Sequence, residues 1–204
     1  MSFTTSSRPS APIEEERSAR VVIAPDAFKG TASAEDAAQW LGEGVREIIR
    51  DAEVLLAPMA DGGEGTSSLF EGERITLPTT DAAGRLTEAS YTYDAATTTA
   101  FIDVAAASGL PAVADSPVVM TGDTYGTGVL IADAQTRGAT RIVLGLGGSA
   151  TVDGGTGILV ALGANPLNAA GYQLSPGGGH LREIADLDTA KAVSYTHLTA
   201  ADDS

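Results

Sequence analysis

The sequence contains no cysteine. This absence excludes disulfide bonds, cysteine nucleophiles and the cysteine-based zinc sites of small metal-binding domains. It also fits a protein that works in a reducing compartment. We therefore expect a cytoplasmic location.

Positive charge is also scarce. Lysine and arginine together number 12 against 27 aspartate and glutamate residues, which gives a formal net charge of −15. No basic stretch interrupts this acidity, which opposes binding to nucleic acids and to anionic membrane surfaces. The chain also lacks an apolar run of the roughly 18 residues needed to cross a bilayer, and its first twenty residues lack the apolar core of a secretory signal. We expect no nucleic-acid or membrane partner, and we leave a homodimer open.

Glycine, by contrast, is abundant, at 24 of 204 residues, against an average of about 7%. Because it follows no repeating period, the excess belongs to turns and to loops that approach ligands. Hydrophobic residues make up 43% of the chain, enough for two modest domains. Residues 1–19 are polar, include the acidic run Glu14–Glu16 and predict a disordered tail.

The first predicted domain, residues 20–73, opens with a strand, a helix and a strand. The apolar run Val21–Ala24 predicts a fully buried strand, and Val54–Ala57 predicts a second one. Ser33 begins the helix between them as its N-cap. A right-handed crossover makes the two strands parallel, so the loops that follow them open at the same edge of the sheet. Four chemically capable side chains then share this rim: Asp26, Lys29, Asp61 and Glu64.

The second predicted domain, residues 74–190, opens with alternating polar and apolar residues separated by turn signals. This pattern is typical of an antiparallel meander. A helix over 127–137, a strand over 141–146, a glycine-rich loop over 147–155 and a helix over 156–162 follow. The sequence therefore predicts an α/β protein whose second domain is α+β.

Two parallel strands alone make an unstable sheet, because a parallel sheet needs more strands and cover on both faces. Further strands must come from elsewhere, so we expect the first domain to be discontinuous and the sequence to be part of a longer one. Residues 191–204 show neither the pattern nor the cap that would finish a domain, and we expect this tail not to be native sequence.

The strongest chemical signal is the glycine-rich stretch Gly145–Gly155, between a predicted strand and a predicted helix. Its backbone N–H groups could cradle an anion, although a plain tight turn is the alternative. A Walker A loop is excluded, since no lysine occurs here. The stretch partly matches the dinucleotide fingerprint, but no acidic residue lies between Asp153 and Glu183 to hold a ribose. The loop predicts a site for phosphoryl oxygens or a small acid, with a nicotinamide-dependent oxidoreductase as the weaker alternative.

The loops after the predicted strands also carry charged groups suited to such a site. Lys29 is one of only two lysines, and its compact ammonium suits phosphate or carboxylate oxygens, although a solvated surface lysine is the alternative. Asp26, Asp61 and Glu64 could bind Mg²⁺ or accept a hydroxyl proton, and so could Asp153 in the glycine-rich loop. Each carboxylate could equally be a turn-forming residue.

Five segments stand out along the chain: Ala24–Gly30, Ala60–Gly65, Ala105–Leu110, Thr124–Gly128 and Gly147–Gly155. Together and in this order, they resemble the bacterial glycerate kinase type 1 family. The resemblance covers about residues 20–187, whereas members of that family are much longer.

The resemblance implies a two-domain α/β kinase, in which a flavodoxin-like parallel-sheet domain, incomplete here, is split around an inserted α+β domain. It implies transfer of the γ-phosphoryl group of ATP to D-glycerate with Mg²⁺. With the residue chemistry above, we expect catalytic roles for Lys29, Asp61 and Asp153 and metal binding by Asp61 and Glu64. The expected substrate- or phosphate-binding residues are Asp26, Phe28, Ser108, Gly147, Gly148, Ser149, Thr151 and Gly154.

The sequence departs from the family pattern at three places. Asp103 stands where the family usually has Glu, Val152 replaces an Asn, and an Arg-Asn-Pro stretch is missing before Thr124. The last departure affects a substrate or anion contact. A nicotinamide-dependent oxidoreductase and an inactive truncated fragment are the alternatives to a kinase.

Overall fold

The computed structural model of the chain describes residues 18–28, 31–116, 118–192 and 198–201. No helix in these ranges combines the length and hydropathy that crossing a bilayer requires. The strands are β1 (Arg20–Ile23), β2 (Glu53–Leu56), β3 (Glu73–Thr80), β4 (Leu86–Asp94), β5 (Thr99–Asp103), β6 (Arg141–Gly145), β7 (Asn165–Leu167), β8 (Asp186–Asp188) and β9 (Leu198–Ala201). The α-helices are α1 (Ala34–Ile48), α2 (Val104–Ser108), α3 (Tyr125–Thr136) and α4 (Thr156–Ala161), with short 3-10 turns at Thr66–Leu69, Leu110–Val113 and Gly178–Glu183.

The strands β1 and β2 form a two-stranded parallel sheet, as predicted, and α1 connects them. Ser33 is the N-cap of α1, because its Oγ accepts a hydrogen bond from the Asp36 N–H at 3.0 Å. The prediction of fully buried strands is wrong, since Val22 is 61% exposed and Leu55 is 40% exposed. In the parallel register these two side chains lie on one face. The helix packs against the opposite face, where Gly42 approaches Val54, and no second layer covers Val22 in the described ranges.

The other large sheet has five strands in the order β3-β4-β5-β6-β9. The predicted antiparallel meander of β3, β4 and β5 is confirmed, whereas β6 runs parallel to both β5 and β9. The chain is therefore a mixed α/β structure. The strand β9 lies within residues 191–204, whose non-native origin stays a prediction, and residues 193–197 and 202–204 lie outside the described ranges.

The main core lies between this sheet and α3. Apolar side chains of the strands alternate toward this face, and the helix buries Leu130 and Ile131 against them. The predicted end of the helix is confirmed, because Gly138 adopts a left-handed φ of 96° just after it. The other buried apolar members of the core are Ile75, Ala89, Tyr91, Ala100, Ile102, Val104, Ala107, Ala134, Ala139, Ile142 and Leu144.

The segment that follows β2 packs on the opposite face of the same sheet. The 3-10 turn Thr66–Leu69 contacts β4 and β5, and the ring of Phe70 stacks on Phe101 with centroids 3.9 Å apart. Phe101 alternates with the core residue Ile102, so this segment covers the face that α3 leaves free. A segment assigned by sequence to the first domain thus packs on the sheet of the second, and the boundary at residues 73/74 stays a prediction.

The β3–β4 hairpin is fixed by a buried carboxylate. Asp81 accepts hydrogen bonds from the backbone N–H groups of Ala83 and Arg85 and from Arg85 Nε. Burial opposes its ionisation, but the hydrogen bonds from Arg85 and Ala83 outweigh burial and lower the pKa of Asp81. Arg85 also pairs with Asp115 at 3.0 Å and donates to the carbonyl of Ala112. The hairpin therefore positions the segment that follows α2. The helix α2 itself ends at the candidate site.

Candidate active site

The loops that follow β1 and β2 lie side by side, as their parallel pairing predicts. Ala57 N–H donates to the carbonyl of Ile23 at 2.8 Å, and Met59 N–H donates to that of Pro25 at 2.9 Å. Asp26 is exposed at the start of the first loop, where its Oδ1 accepts from its neighbour's N–H, and Phe28 is 57% exposed. Lys29 lies outside the described residues.

The loop after β2 meets the glycine-rich loop after β6. The Gly147 N–H donates to the Gly62 carbonyl at 2.8 Å. The two backbones approach so closely that a Cβ added at Gly145 would lie 2.6 Å from the Gly62 oxygen. A Cβ at Gly147 would lie 2.8 Å from the Gly63 Cα. The two loops therefore lie in contact, and this contact depends on glycine at both positions.

The glycine-rich loop is held on its other side by the end of α2. Ala150 N–H donates to the Ser108 carbonyl at 2.8 Å, and Leu110 N–H donates to the Gly148 carbonyl at 3.0 Å. The Ser108 hydroxyl is fully buried and lies 3.0 Å from that of Thr127. Substrate binding by Ser108 stays a prediction, and its observed contacts are those of a residue that supports the loop.

The outer side of the glycine-rich loop presents polar groups. Gly148 and Gly154 have left-handed φ values of 71° and 61°, and both are exposed. Among the described residues, none accepts a hydrogen bond from the N–H groups of Gly148, Val152 or Gly154. Ser149 and Thr151 are half-buried, with their hydroxyl oxygens 2.9 Å apart. Backbone N–H groups without a protein acceptor, beside paired hydroxyls, can bind an anion such as phosphate or carboxylate.

Asp153 differs from the other candidate residues because it is only 1% exposed. Its Oδ2 accepts from the N–H and hydroxyl of Thr124 at 3.0 and 2.8 Å and from the Gly157 N–H at 2.9 Å. Its Oδ1 accepts from the Gly155 N–H at 3.1 Å. A catalytic role for Asp153 stays a prediction, whereas these contacts favour a structural role, joining the glycine-rich loop to the starts of α3 and α4.

Asp61 and Glu64 occupy the rim opposite the glycine-rich loop. Asp61 is half-buried, and its Oδ1 accepts from the Gly63 N–H at 2.6 Å, which leaves Oδ2 without a bond to the described residues. Glu64 is exposed. The described part of the chain contains no group of three His, Cys, Asp or Glu side chains arranged to hold a metal ion.

The glycerate kinase family model matches residues 21–203. This chain belongs to the glycerate kinase family. It is 43% identical over 176 residues to the glycerate 2-kinase of Escherichia coli (strain K12). The matched region covers 83% of this chain and 46% of that protein. It is 41% identical over 178 residues to a glycerate kinase of Halalkalibacterium halodurans, covering 84% of this chain and 46% of that protein.

A solved structure supports the same family membership. A crystal structure of a protein from Salmonella typhimurium LT2, assigned as glycerate kinase 2, matches with a TM-score of 0.75 and 37% sequence identity. The match covers 91% of this chain and 52% of that one. This glycerate kinase family chain therefore spans about half the length of the relatives it matches.

Sequence reasoning missed two polar residues that build the site of this family member. Asp103, at the end of β5, bonds to the loop that carries Asp61, and Thr124 bonds to Asp153. Asp103 was noted only as a departure from the family pattern. A carboxylate at the end of a buried strand was the available signal, because such a group must find hydrogen-bond donors when it is buried.

Asp123, next to Thr124, borders a cavity of about 90 Å³. Burial raises the pKa of this carboxyl, the hydrogen bond from the Tyr125 N–H lowers it, and the nearby charge of Asp153 raises it, with a net increase. The native chain therefore binds this proton more tightly than the unfolded chain. This tighter binding stabilises the folded chain. The stabilisation is complete below the pKa of Asp123 in the unfolded chain, which is near 4, and it is lost as the pH rises through the pKa of Asp123 in the folded chain.

We expect Asp123→Asn to remove this loss, because the amide carries no charge and can still accept from Tyr125. The free energy of unfolding of the variant, relative to wild type, should rise between pH 4 and pH 7. Urea denaturation at several pH values measures it. A difference that stays constant over this range would contradict the assigned direction.

Proposed function

We propose that this chain is the part of a cytoplasmic glycerate kinase that transfers the γ-phosphoryl group of ATP to D-glycerate. The observation that carries the proposal is the hydrogen bond between Gly147 and the Gly62 carbonyl. It sets a loop with two carboxylates against a glycine-rich loop that carries hydroxyls and N–H groups without an acceptor among the described residues. Similarity to glycerate kinases of two organisms supports the choice of substrate.

Phosphoryl transfer mainly requires positioning and neutralisation of charge. In our proposal the N–H groups of Gly148 and Gly154 and the hydroxyls of Ser149 and Thr151 hold phosphate or glycerate oxygens. A glycerate hydroxyl oxygen bonds to the γ-phosphorus while the bond to the β–γ bridging oxygen breaks. ADP leaves, and the hydroxyl proton passes to a carboxylate oxygen of Asp61.

We assign supporting roles to the remaining sequence-predicted residues. Lys29 would neutralise phosphate charge, and Asp26 and Phe28, on the adjacent loop, would line the substrate side. Both of the latter are exposed, which is compatible with contact to a bound small molecule. Asp153 would act through the loop it supports rather than on the substrate.

The carboxylates present fit Mg²⁺ held mainly by nucleotide phosphates. Magnesium in such sites takes one or two protein carboxylates and completes its octahedron with phosphate oxygens and water. The exposed Glu64 is a donor of this kind on the rim, and Asp61, whose Oδ2 is unbonded among the described residues, would hold the ion as the alternative to accepting the hydroxyl proton. When bound there, the ion would neutralise charge on the phosphoryl oxygens.

We further propose that residues 20–73 are the first part of a flavodoxin-like domain and residues 74–190 an inserted α+β domain. The parallel pairing of β1 with β2 supports the first assignment, and the antiparallel meander of β3, β4 and β5 supports the second. The exposed Val22 and Leu55 lie on the face of β1 and β2 that a further layer would cover.

The proposal is tested by assaying ADP formation by the 204-residue chain with Mg-ATP and D-glycerate. We expect ADP to form with D-glycerate and not with D-lactate, which keeps the carboxylate and the 2-hydroxyl but lacks the 3-hydroxyl. If D-lactate is phosphorylated equally well, the proposed use of glycerate as specific substrate is wrong. Saturable binding of NADH without binding of Mg-ATP would favour an oxidoreductase. A melting temperature unchanged by ATP and glycerate, together with no ADP formation, would support an inactive fragment.

A further inference from the structure

Asp103 lies where the loop after β2 and the glycine-rich loop come together. It is the last residue of β5 and pairs in register with Gly145, the last residue of β6. Its side chain is only 2% exposed, although it sits at the sheet edge where ligands approach. A carboxylate so deeply buried needs hydrogen-bond donors, and it finds them across the chain.

The donors all come from the loop after β2. Asp103 Oδ1 accepts from the Ser67 N–H at 2.9 Å, and Oδ2 accepts from the Ser67 hydroxyl at 2.8 Å and from the Gly65 N–H at 3.2 Å. Gly65 adopts a left-handed φ of 88°, which favours glycine. One carboxylate therefore fixes the segment directly after Asp61 and Glu64.

The segment has further supports on the same side. Ser67 is fully buried, its hydroxyl accepts from Arg74 at 2.8 Å, and its carbonyl accepts from the Thr92 hydroxyl at 2.6 Å. On the other side, the carbonyl of Gly62 accepts from Gly147. The loop is thus fastened at one end to the glycine-rich loop and at the other end to Asp103.

The main chain after Asp103 extends this connection. The helix α2 starts at the next residue and ends at Ser108, whose carbonyl accepts from Ala150 in the glycine-rich loop. Asp103 is therefore linked to one rim of the candidate site by its side chain and to the other rim by five residues of helix. Movement of this carboxylate would alter the distance between the rims.

We propose that Asp103 is a positioning residue that holds Asp61 and Glu64 beside the glycine-rich loop. The proposal rests on the proposed kinase function for its effect on turnover, but the positioning itself is a property of the unliganded chain. Asp103 does not touch the proposed substrate, because Gly65 and Ser67 lie against its carboxylate.

The first test is hydrogen–deuterium exchange of the backbone amides of residues 63–67 in the full chain. Asp103→Asn keeps the shape of the side chain but turns one acceptor into a donor that faces other donors. We expect these amides to exchange about tenfold faster than in wild type. Asp103→Glu restores a carboxylate and should bring exchange back close to the wild-type rate. Unchanged exchange in Asp103→Asn would overturn the proposal.

The second test is kinetic, at a temperature well below the melting midpoint of each variant. In Asp103→Asn we expect kcat to fall about tenfold and the Mg²⁺ concentration for half-maximal rate to rise, with recovery of both in Asp103→Glu. A general loss of stability would not produce this Mg²⁺ dependence. Faster exchange with wild-type kcat and Mg²⁺ dependence would overturn the coupling of the loop to catalysis.

Asp133→Asn is the matched control. The Asp133 carboxylate also joins distant residues, accepting from the Tyr91 hydroxyl and from Arg137 Nε at 2.7 Å each, but on α3 away from both loops. We expect this variant to lose stability without faster exchange in residues 63–67. Equal acceleration in both variants would identify general unfolding as the cause and overturn the proposal.

The positioning role can still be tested if Asp103→Asn does not fold or if wild type shows no kinase activity. If Asp103→Asn does not fold, Ser67→Ala removes the hydroxyl contacts with Asp103 and Arg74 but keeps the backbone N–H bond to Asp103, and it should accelerate exchange of the same amides to a smaller extent. Unchanged exchange in that variant would count against the proposal. If wild type forms no ADP from Mg-ATP and D-glycerate, the proposed function fails, and exchange in Asp103→Asn and Asp103→Glu alone decides the positioning role.

Discussion

Replacing Gly147 by alanine is expected to reduce glycerate-dependent ADP formation by about a hundredfold and the free energy of unfolding by about 1–3 kcal/mol. The added Cβ would lie 2.8 Å from the Gly63 Cα and 2.9 Å from the Gly63 nitrogen. Both are backbone atoms, so no side-chain rotation can relieve the overlap. The loops must separate, which displaces Asp61 from the groups proposed to hold phosphate. Steady-state kinetics and urea denaturation measure the two effects.

Gly44→Ala is the control for this substitution. Gly44 lies within α1, and an added Cβ there has no heavy atom of the described chain within 4 Å apart from the neighbouring backbone of α1 itself. Alanine should stabilise the helix by about 0.5–1 kcal/mol and leave turnover unchanged. If Gly147→Ala behaved like Gly44→Ala, the close contact between the two loops could not be important for the site.

Replacing Asp153 by alanine is expected to cause a large loss of stability, about 3–5 kcal/mol. The substitution leaves the N–H groups of Thr124, Gly155 and Gly157 without their acceptor, and each buried unsatisfied donor costs about 1–3 kcal/mol. Asp153→Asn should lose less, because its amide oxygen still accepts from some of these donors. Urea denaturation gives the order wild type, Asn variant, Ala variant.

This series also separates a structural Asp153 from a catalytic one. Asp188→Ala is the control, since Asp188 is exposed and, among the described residues, its side chain accepts only from the nearby Ala190 N–H, and we expect a change within about 0.5 kcal/mol. If Asp153→Asn abolished turnover at unchanged stability, Asp153 would be a catalytic residue and our structural assignment would be wrong.

Features encoded by neighbouring residues could be predicted from the sequence. The Ser33 cap and the turn at residues 83–84 involve groups no more than four positions apart. Local hydrogen bonding and backbone preference fix such features before the chain folds. The glycine-rich loop between β6 and α4 was predictable for the same reason. The exposure of Val22 was not predictable, because an apolar run predicts a strand but does not reveal whether other elements pack over one face of that strand or over both.

The contacts that assemble the candidate site could not be predicted in this way. Asp103 and Ser67 are 36 residues apart, and Thr124 and Asp153 are 29 apart. The residues next to a carboxylate in the sequence do not reveal whether its side chain will be buried among hydrogen-bond donors or will face a ligand. For this reason sequence reasoning treated Asp61 and Asp153 as equivalent candidates, whereas the structure leaves the first half-buried at the rim and encloses the second.

The sequence by itself determined the kinase-family motifs, the glycine positions and the order of β1, α1, β2, the meander, α3, β6 and α4, since these depend on residue type and short spacing. Tertiary structure alone decided that the loop after β2 touches the glycine-rich loop and that Asp103 fastens it there. The physical reason is that hydrogen bonds between distant segments form only after packing has brought their donors and acceptors within about 3 Å and removed competing water.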